Sequence, residues 1–181
     1  MYIKRKRDMS YDYLLKQYSN YIKPNLEVVT CKSDKIFEKL NLKVEIEESC
    51  EKPYIKVLKN NRLYFTYYGI PSSYQLWSFM NALVRISNDL VHLSGPEREI
   101  ASKLKGTIRV HVTPECSRCS AALDVLYQVA IINDQVKLEV IDDGEKVRDP
   151  EELPIIEVDG KVKVKGSGYS PILLLKSLGS Y

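Results

Sequence analysis

Apolar residues along the first half of the chain repeat at the spacing of helices and then of strands. They predict, in order, a helix over 8–22, a strand over 26–30, a brief helix over 36–40, a strand over 42–47, strands over 54–58 and 62–68, and a helix over 76–88. The last two strands form a hairpin, because Asn60 and Asn61 between them tolerate the positive φ of a tight turn. Pro53 opens this hairpin.

The second half repeats this succession of elements. Its pattern predicts a helix over 94–104, a strand over 108–112, a helix over 117–133, a strand over 136–141, room for one helical turn at most over 142–153, strands over 155–158 and 161–165, and a helix over 172–178. Pro154 opens the second hairpin. A crossover followed by a hairpin gives a mixed sheet with helices on its faces. We therefore predict an α/β protein of two tandem units, over 1–93 and 94–181, each a mixed four-stranded sheet flanked by helices.

Composition and charge narrow the function classes. The chain has 181 residues, 44% of them hydrophobic, which is enough to bury a core. No apolar run is long enough to span a membrane, and residues 1–7 lack the apolar segment of a secretory signal, so we expect a cytoplasmic protein. Six of the 27 basic residues but only two of the 24 acidic ones lie in the first 25 positions. The near-neutral remainder argues against a nucleic-acid partner, and the basic run at 4–7 is best interpreted as a solvated terminus.

The chemistry of the chain is concentrated in Cys116-Ser117-Arg118-Cys119, between a predicted strand and a predicted helix. Two cysteines three positions apart in a first helical turn can form a disulfide. Cys116 would lie at the helix N-terminus, where free N–H groups, the helix dipole and the Arg118 cation lower the pKa of the thiol. Cys119, one turn further on, would resolve a mixed disulfide.

Two other interpretations of this pair stay open. A zinc site needs two more ligands, and neither Cys31 and Cys50 nor the two histidines, His92 and His111, stand at ligand spacing, so no metal site is predicted. A purely structural disulfide is the other alternative.

Two further features allow a functional and a structural interpretation. His111 precedes Cys116 by five positions and could act as a base, but a half-exposed strand histidine is the simpler interpretation. An aromatic cluster could bind peptides, although packing between a hairpin and its helix is commoner. The members of the cluster are Tyr64, Phe65, Tyr67, Tyr68 and Trp77.

The segments 52–71 and 94–119, together with the duplicated layout, resemble the protein disulfide oxidoreductases of thermophilic archaea, which carry two glutaredoxin-like thioredoxin folds in one chain. The abundance of Tyr, Lys, Glu and Ile also favours a thermophilic source. The resemblance implies thiol-disulfide exchange on protein disulfides, with Cys116 attacking and Cys119 resolving. It implies a cis-proline at Pro154, with Leu153 offering backbone groups to substrate, and another at Pro53. It implies no bound organic cofactor and an electron donor similar to thioredoxin reductase.

The sequence departs from this family in ways that matter for function. Cys31 follows the first strand but has no partner at Asp34, so the first half is degenerate and one redox site is lost. No acidic residue occupies Val110, where thioredoxins bury one. Cys50 lies three residues before Pro53, and the fold would bring it to the end of the strand that carries Cys31, so we expect either a structural disulfide or two buried free thiols.

The resemblance thus favours an oxidoreductase over two other classes of protein. One is a non-catalytic thioredoxin-like module for binding or dimerisation, in which the disulfide is structural. The other is a metal-handling protein. The oligomeric state, a homodimer included, stays open.

Overall fold

The computed structural model of the protein describes residues 12–143, 149–166 and 170–179. Helix α1 covers 12–19 there, and the basic run at 4–7 lies outside the described residues. The strands are β1 (Glu27–Cys31), β2 (Lys43–Ile46), β3 (Tyr54–Lys59), β4 (Arg62–Tyr68), β5 (Gly106–Val112), β6 (Val136–Asp142), β7 (Ile155–Val158) and β8 (Lys161–Lys165). The other helices are α2 (Tyr74–Asn88), α3 (Gly95–Ser102), α4 (Ser117–Ile132) and α5 (Pro171–Gly179), with short 3-10 turns at Asp34–Phe37 and Pro150–Glu152. Within the described ranges, no helix is long and apolar enough to cross a membrane.

All eight strands belong to one mixed sheet with the order β2-β1-β3-β4-β6-β5-β7-β8. Each half repeats the predicted pattern, since β1 pairs parallel with β2 and antiparallel with β3, as β5 does with β6 and β7. The sequence predicted two four-stranded sheets; the structure joins them through a parallel pair, β4 with β6. This pairing removes two edges that would otherwise expose unpaired backbone groups. The strands β1 and β5 run in the same direction, so their carboxyl ends reach the same edge of the sheet.

The hydrophobic core continues across the seam between the halves. Helices α2 and α4 contact each other over this seam. The ring of Phe79 in α2 packs edge-on against Phe65 and Tyr67 of β4, with centroids 5.7 and 5.8 Å apart, and Phe65 contacts Tyr127 of α4 at 4.5 Å. The buried strand residues of the aromatic cluster, Tyr64, Phe65 and Tyr67, therefore serve packing, whereas Tyr68 is partly exposed and Trp77 is 47% exposed.

A partly buried hydrogen bond crosses the seam at the carboxyl edge of the sheet. The Tyr67 hydroxyl donates to Asp142 at 2.6 Å. Burial, followed by the charge of Asp142, raises the pKa of Tyr67 well above its ordinary value. Tyr67 therefore keeps its proton and remains a donor.

Gly69, the residue after β4, comes so close to the seam that it has no room for a side chain. Its φ is +125°, and a Cβ there would lie 2.9 Å from the Asp142 Cβ and 3.2 Å from the Asp142 carbonyl oxygen. We expect Gly69→Ala to lower the free energy of unfolding by about 2 kcal/mol, because it adds backbone strain and a steric clash. Urea denaturation measures this.

Gly95→Ala is the matched control. A Cβ at Gly95, in the first turn of α3, would meet nothing within 4 Å. We expect this variant to be as stable as the wild type or slightly more stable. Equal losses in the two variants would contradict a steric cause at Gly69.

Candidate redox site

Cys116 and Cys119 form a disulfide where β5 leads into α4, with Cα atoms 5.2 Å apart. Cys116 is the N-cap of α4, and its Sγ accepts a hydrogen bond from the Cys119 N–H at 3.1 Å. Cys116 is partly exposed and Cys119 is fully buried. One sulfur of the bond is therefore accessible and the other is shielded.

The loop before Pro154 lies beside this pair. Ala121 and Ala122 of α4 line a small cleft together with Pro154, and the Leu153–Pro154 peptide bond is cis. Leu153 is 1% exposed, and its N–H donates to the Pro150 carbonyl at 3.2 Å. Two backbone groups of Leu153, the N–H and the carbonyl, are expected to contact a substrate. The N–H is already hydrogen-bonded within the loop.

Arg118 connects α4 to the same loop. Its guanidinium donates to the Pro150 carbonyl at 3.1 Å and lies 3.5 Å from a carboxylate oxygen of Glu151. The sequence predicted a cation beside the Cys116 sulfur, whereas the hydrogen bonds of Arg118 go to the Pro154 loop. Arg118, which lies between the two cysteines in the sequence, therefore also holds that loop against α4.

The first half of the chain holds the redox loop in place. Gln75 of α2 is fully buried, and its Nε2 donates to the carbonyls of Thr113 and Cys116 at 2.8 and 3.0 Å. The Tyr74 N–H donates to the Pro114 carbonyl at 3.2 Å. These contacts were not predicted from the sequence. The available signal was a glutamine on the apolar face of α2, one helical turn before Phe79.

The first half has a different disulfide at the equivalent position. Cys31 at the end of β1 is bonded to Cys50, with Cα atoms 6.4 Å apart. Cys31 is fully buried and Cys50 is partly exposed. Cys31 is followed by Lys32, with φ +59°, and then by a 3-10 turn. Neither sulfur of this bond therefore lies at the start of an α-helix.

Pro53 corresponds to Pro154 in place but not in isomer. The Pro53 carbonyl accepts from the Gly69 N–H at 2.8 Å, as the Pro154 carbonyl accepts from Gly166 at 3.1 Å. Among the described peptide bonds, however, only Leu153–Pro154 is cis, so the cis-proline expected at Pro53 is wrong. The free-energy preference between the isomers of an X–Pro bond is small, so the surrounding loop decides it, and the disulfide at Cys50 holds this loop differently.

His111 lies on β5 between two carboxylates. Its Nδ1 is 3.5 Å from Asp143 and its Nε2 is 3.6 Å from Glu157. This is the setting of a half-exposed strand histidine. Across the described ranges, no group of three or more His, Cys, Asp or Glu residues is arranged to hold a metal ion.

Comparison with known proteins places this geometry in a family. A thioredoxin-like domain model matches residues 11–89, the half without a Cys-x-x-Cys pair. Sso1120 from Sulfolobus solfataricus is 38% identical, with a TM-score of 0.76 over 86% of this chain and 99% of that one. A search of curated proteins found no match.

More distant structures share the fold. A protein disulfide oxidoreductase from Aeropyrum pernix is 20% identical, with a TM-score of 0.69 over 93% of this chain and 91% of that one. The NTD_N/C domain of the alkylhydroperoxide reductase AhpF from Enterococcus faecalis is 14% identical, with a TM-score of 0.73 over 93% and 99%. The identity to Sso1120 extends over nearly all of that protein, so the chain belongs to its family, a thioredoxin-like family that resembles the archaeal protein disulfide oxidoreductases.

Proposed function

We propose that the protein is a thiol-disulfide oxidoreductase that acts on protein disulfides through Cys116 and Cys119. The observation that carries the proposal is the bonded pair at the start of α4, with Cys116 partly exposed and Cys119 buried. An accessible attacking sulfur beside a shielded resolving sulfur is the arrangement that this exchange requires. The names of the structural neighbours from Aeropyrum pernix and Enterococcus faecalis, both redox proteins, support the same class.

The helix terminus activates Cys116 in the reduced protein. As the N-cap, its sulfur receives the Cys119 N–H and faces the positive end of the α4 dipole. Both interactions favour the thiolate over the thiol. Arg118 adds positive potential nearby, in a modulating role.

The disulfide exchange then proceeds in two steps. The Cys116 thiolate attacks one sulfur of the substrate disulfide, so that the substrate S–S bond breaks, a mixed disulfide forms and one substrate thiolate leaves. The Cys119 proton passes through solvent to the substrate thiolate that left first, and the Cys119 sulfur then attacks the Cys116 sulfur, which closes the 116–119 bond and releases the second substrate thiolate. The substrate gains two electrons and the protein loses two. An electron donor similar to thioredoxin reductase restores the reduced pair, and the protein itself needs no bound organic cofactor.

The substrate approaches beside Leu153 and Pro154. Because the Leu153 N–H already donates to the Pro150 carbonyl, the Leu153 carbonyl is the backbone group proposed to accept a hydrogen bond from an extended substrate.

The proposed boundary between the two units lies between residues 93 and 94, before α3. Only the second unit carries the redox pair. The protein would act in the cytoplasm, as a monomer or as a homodimer.

A reduction potential distinguishes this proposal from its main alternative, a binding or dimerisation module with a structural disulfide. We expect the Cys116–Cys119 pair to equilibrate with glutathione or dithiothreitol buffers at a potential above about −300 mV. Alkylation and mass spectrometry of each redox buffer measure the reduced fraction of the pair. The Cys31–Cys50 bond, followed in the same samples, is the internal control and should require the stronger reductant. A potential of the 116–119 pair below about −300 mV would favour the structural alternative.

A further inference from the structure

A groove of about 720 Å³ lies between the two halves of the chain and reaches Ser117, the residue that follows Cys116. The second half contributes Ser117, which stands between the two cysteines, and Ala121 one turn further along α4. The first half contributes the side chains of Tyr74 and Trp77 from α2. The half without its own Cys-x-x-Cys pair therefore forms an aromatic wall next to the redox pair of the other half.

The two aromatic side chains are exposed although their helix has a well-packed face. Tyr74 and Trp77 are 49% and 47% exposed, whereas Phe79 of the same helix is fully buried. Their positions, three residues apart, put them on one side of α2. Neighbouring exposed aromatic side chains beside small residues are typical of a surface that a partner covers, because aromatic residues are enriched in the buried centres of interfaces.

Hydrogen bonds fix this wall to the redox loop. The Tyr74 N–H donates to the Pro114 carbonyl at 3.2 Å, and the Ser120 hydroxyl donates to the Tyr74 carbonyl at 2.9 Å. Gln75, between the two aromatic residues, binds the Cys116 carbonyl at 3.0 Å. The backbone of α2 that carries the two aromatic residues is therefore held against the redox loop before a ligand arrives, which reduces the entropy lost on binding.

The charge of the groove favours an uncharged occupant. Of the lining residues that the structure describes, Asp124 alone belongs to a type that is charged at neutral pH, and its carboxylate is paired with Arg85. The remaining walls are aromatic rings, small side chains, Val125 and Pro171. A charged segment would lose its hydration here without gaining a partner, whereas an apolar segment would cover the two rings.

We propose that this groove binds the apolar stretch of polypeptide next to the reacting cysteine of a disulfide substrate, with Tyr74 and Trp77 as its specificity-determining contacts. This inference rests on the proposed oxidoreductase function and adds a substrate class to it. The preferred substrates carry aromatic or aliphatic residues beside the cysteine. Ring contacts of this kind correspond to a preference of about tenfold in kcat/KM over a substrate with Gly and Ser at the same positions.

The kinetic test compares two synthetic peptide disulfides that differ only in these flanking residues, Leu and Phe in one and Gly and Ser in the other. The wild type should prefer the apolar peptide about tenfold, and Tyr74→Ser combined with Trp77→Ser should reduce this preference to near unity. Tyr21→Ser is the matched control, because Tyr21 is 66% exposed and lies outside the groove. It should keep the wild-type preference. Equal rates with both peptides in the wild type, or an unchanged preference in the double variant, would overturn the proposal.

A binding test separates the groove from the chemistry. Trp77 is the single tryptophan of the chain, so its fluorescence reports on the groove alone. Titration with the apolar peptide carrying S-methylcysteine, which cannot exchange, should shift the emission to shorter wavelengths, and the Gly and Ser peptide should not. Tyr74→Ser should weaken the binding of the apolar peptide.

The two proposals can fail separately. If the wild type fails to reduce hydroxyethyl disulfide, the proposed function is wrong, yet this titration still shows whether the groove binds an apolar peptide. No shift with the apolar peptide would overturn the groove proposal, as would a shift that depends on protein concentration without peptide, since a second copy of the chain would then be the occupant.

Discussion

Replacement of Cys116 by serine is expected to abolish the catalysed reduction of insulin by dithiothreitol and to leave only the rate of the reductant itself. Cys116 is the partly exposed sulfur of the pair and the N-cap of α4, so it is the atom that a substrate disulfide can reach. A serine hydroxyl at this position does not exchange with disulfides, and the buried Cys119 sulfur cannot take its place. Turbidity of precipitating insulin chains measures the reaction.

Two other variants show whether the roles of the cysteines are assigned correctly. Cys119→Ser should lose turnover but accumulate a mixed disulfide between Cys116 and substrate, visible by non-reducing electrophoresis, because the first step needs only the attacking sulfur. Cys31→Ala with Cys50→Ala should retain catalysis, since neither residue lies at the start of an α-helix. An active Cys116→Ser variant would contradict the assignment of the redox site to the second half. Loss of activity only when Cys31 and Cys50 are replaced would contradict it as well.

Much of the fold was predictable because the hydrophobic spacing is strong and local. The helix predicted over 117–133 is observed at Ser117–Ile132, and both hairpins lie where their turns indicated. The joining of the two sheets was not predicted, since the pairing of β4 with β6 depends on which edges meet rather than on spacing. A signal was nevertheless present in β4, where four consecutive residues, 64–67, are buried. Burial on both faces is typical of a strand in the middle of a sheet.

The redox pair was predictable for a similar reason, because a Cys-x-x-Cys between a strand and a helix defines its own geometry. The support that Gln75 gives to this loop was not, since the hydrogen bond joins residues 41 positions apart in different halves. The duplicated layout correctly predicted that Pro53 occupies the position in the first half that Pro154 occupies in the second. A repeated order of elements does not, however, determine the isomer of a peptide bond. Trp77 was grouped with the aromatic residues of β4, and only the orientation of α2 shows that its ring faces outward.

The Cys31–Cys50 bond is expected to stabilise the protein by about 3 kcal/mol, because it closes a loop of 19 residues in the unfolded chain. For a chain of this length the loss of the bond should lower the melting temperature by about 6–12 °C. The comparison is cleanest when Cys116→Ala and Cys119→Ala have removed the other bond, so that a single disulfide differs. In that background, oxidised protein should unfold at a higher urea concentration than the variant that also carries Cys31→Ala and Cys50→Ala.

Reduction provides the matched control for this difference. With dithiothreitol present, the protein that keeps Cys31 and Cys50 should lose most of its advantage over the alanine variant, because its unfolded chain is no longer constrained by the loop. A difference that persists after complete reduction would mean that the Cys31 side chain stabilises the protein through packing, since Cys31 is fully buried. Alkylation of both thiols in the unfolded, unreduced protein would contradict the bond itself.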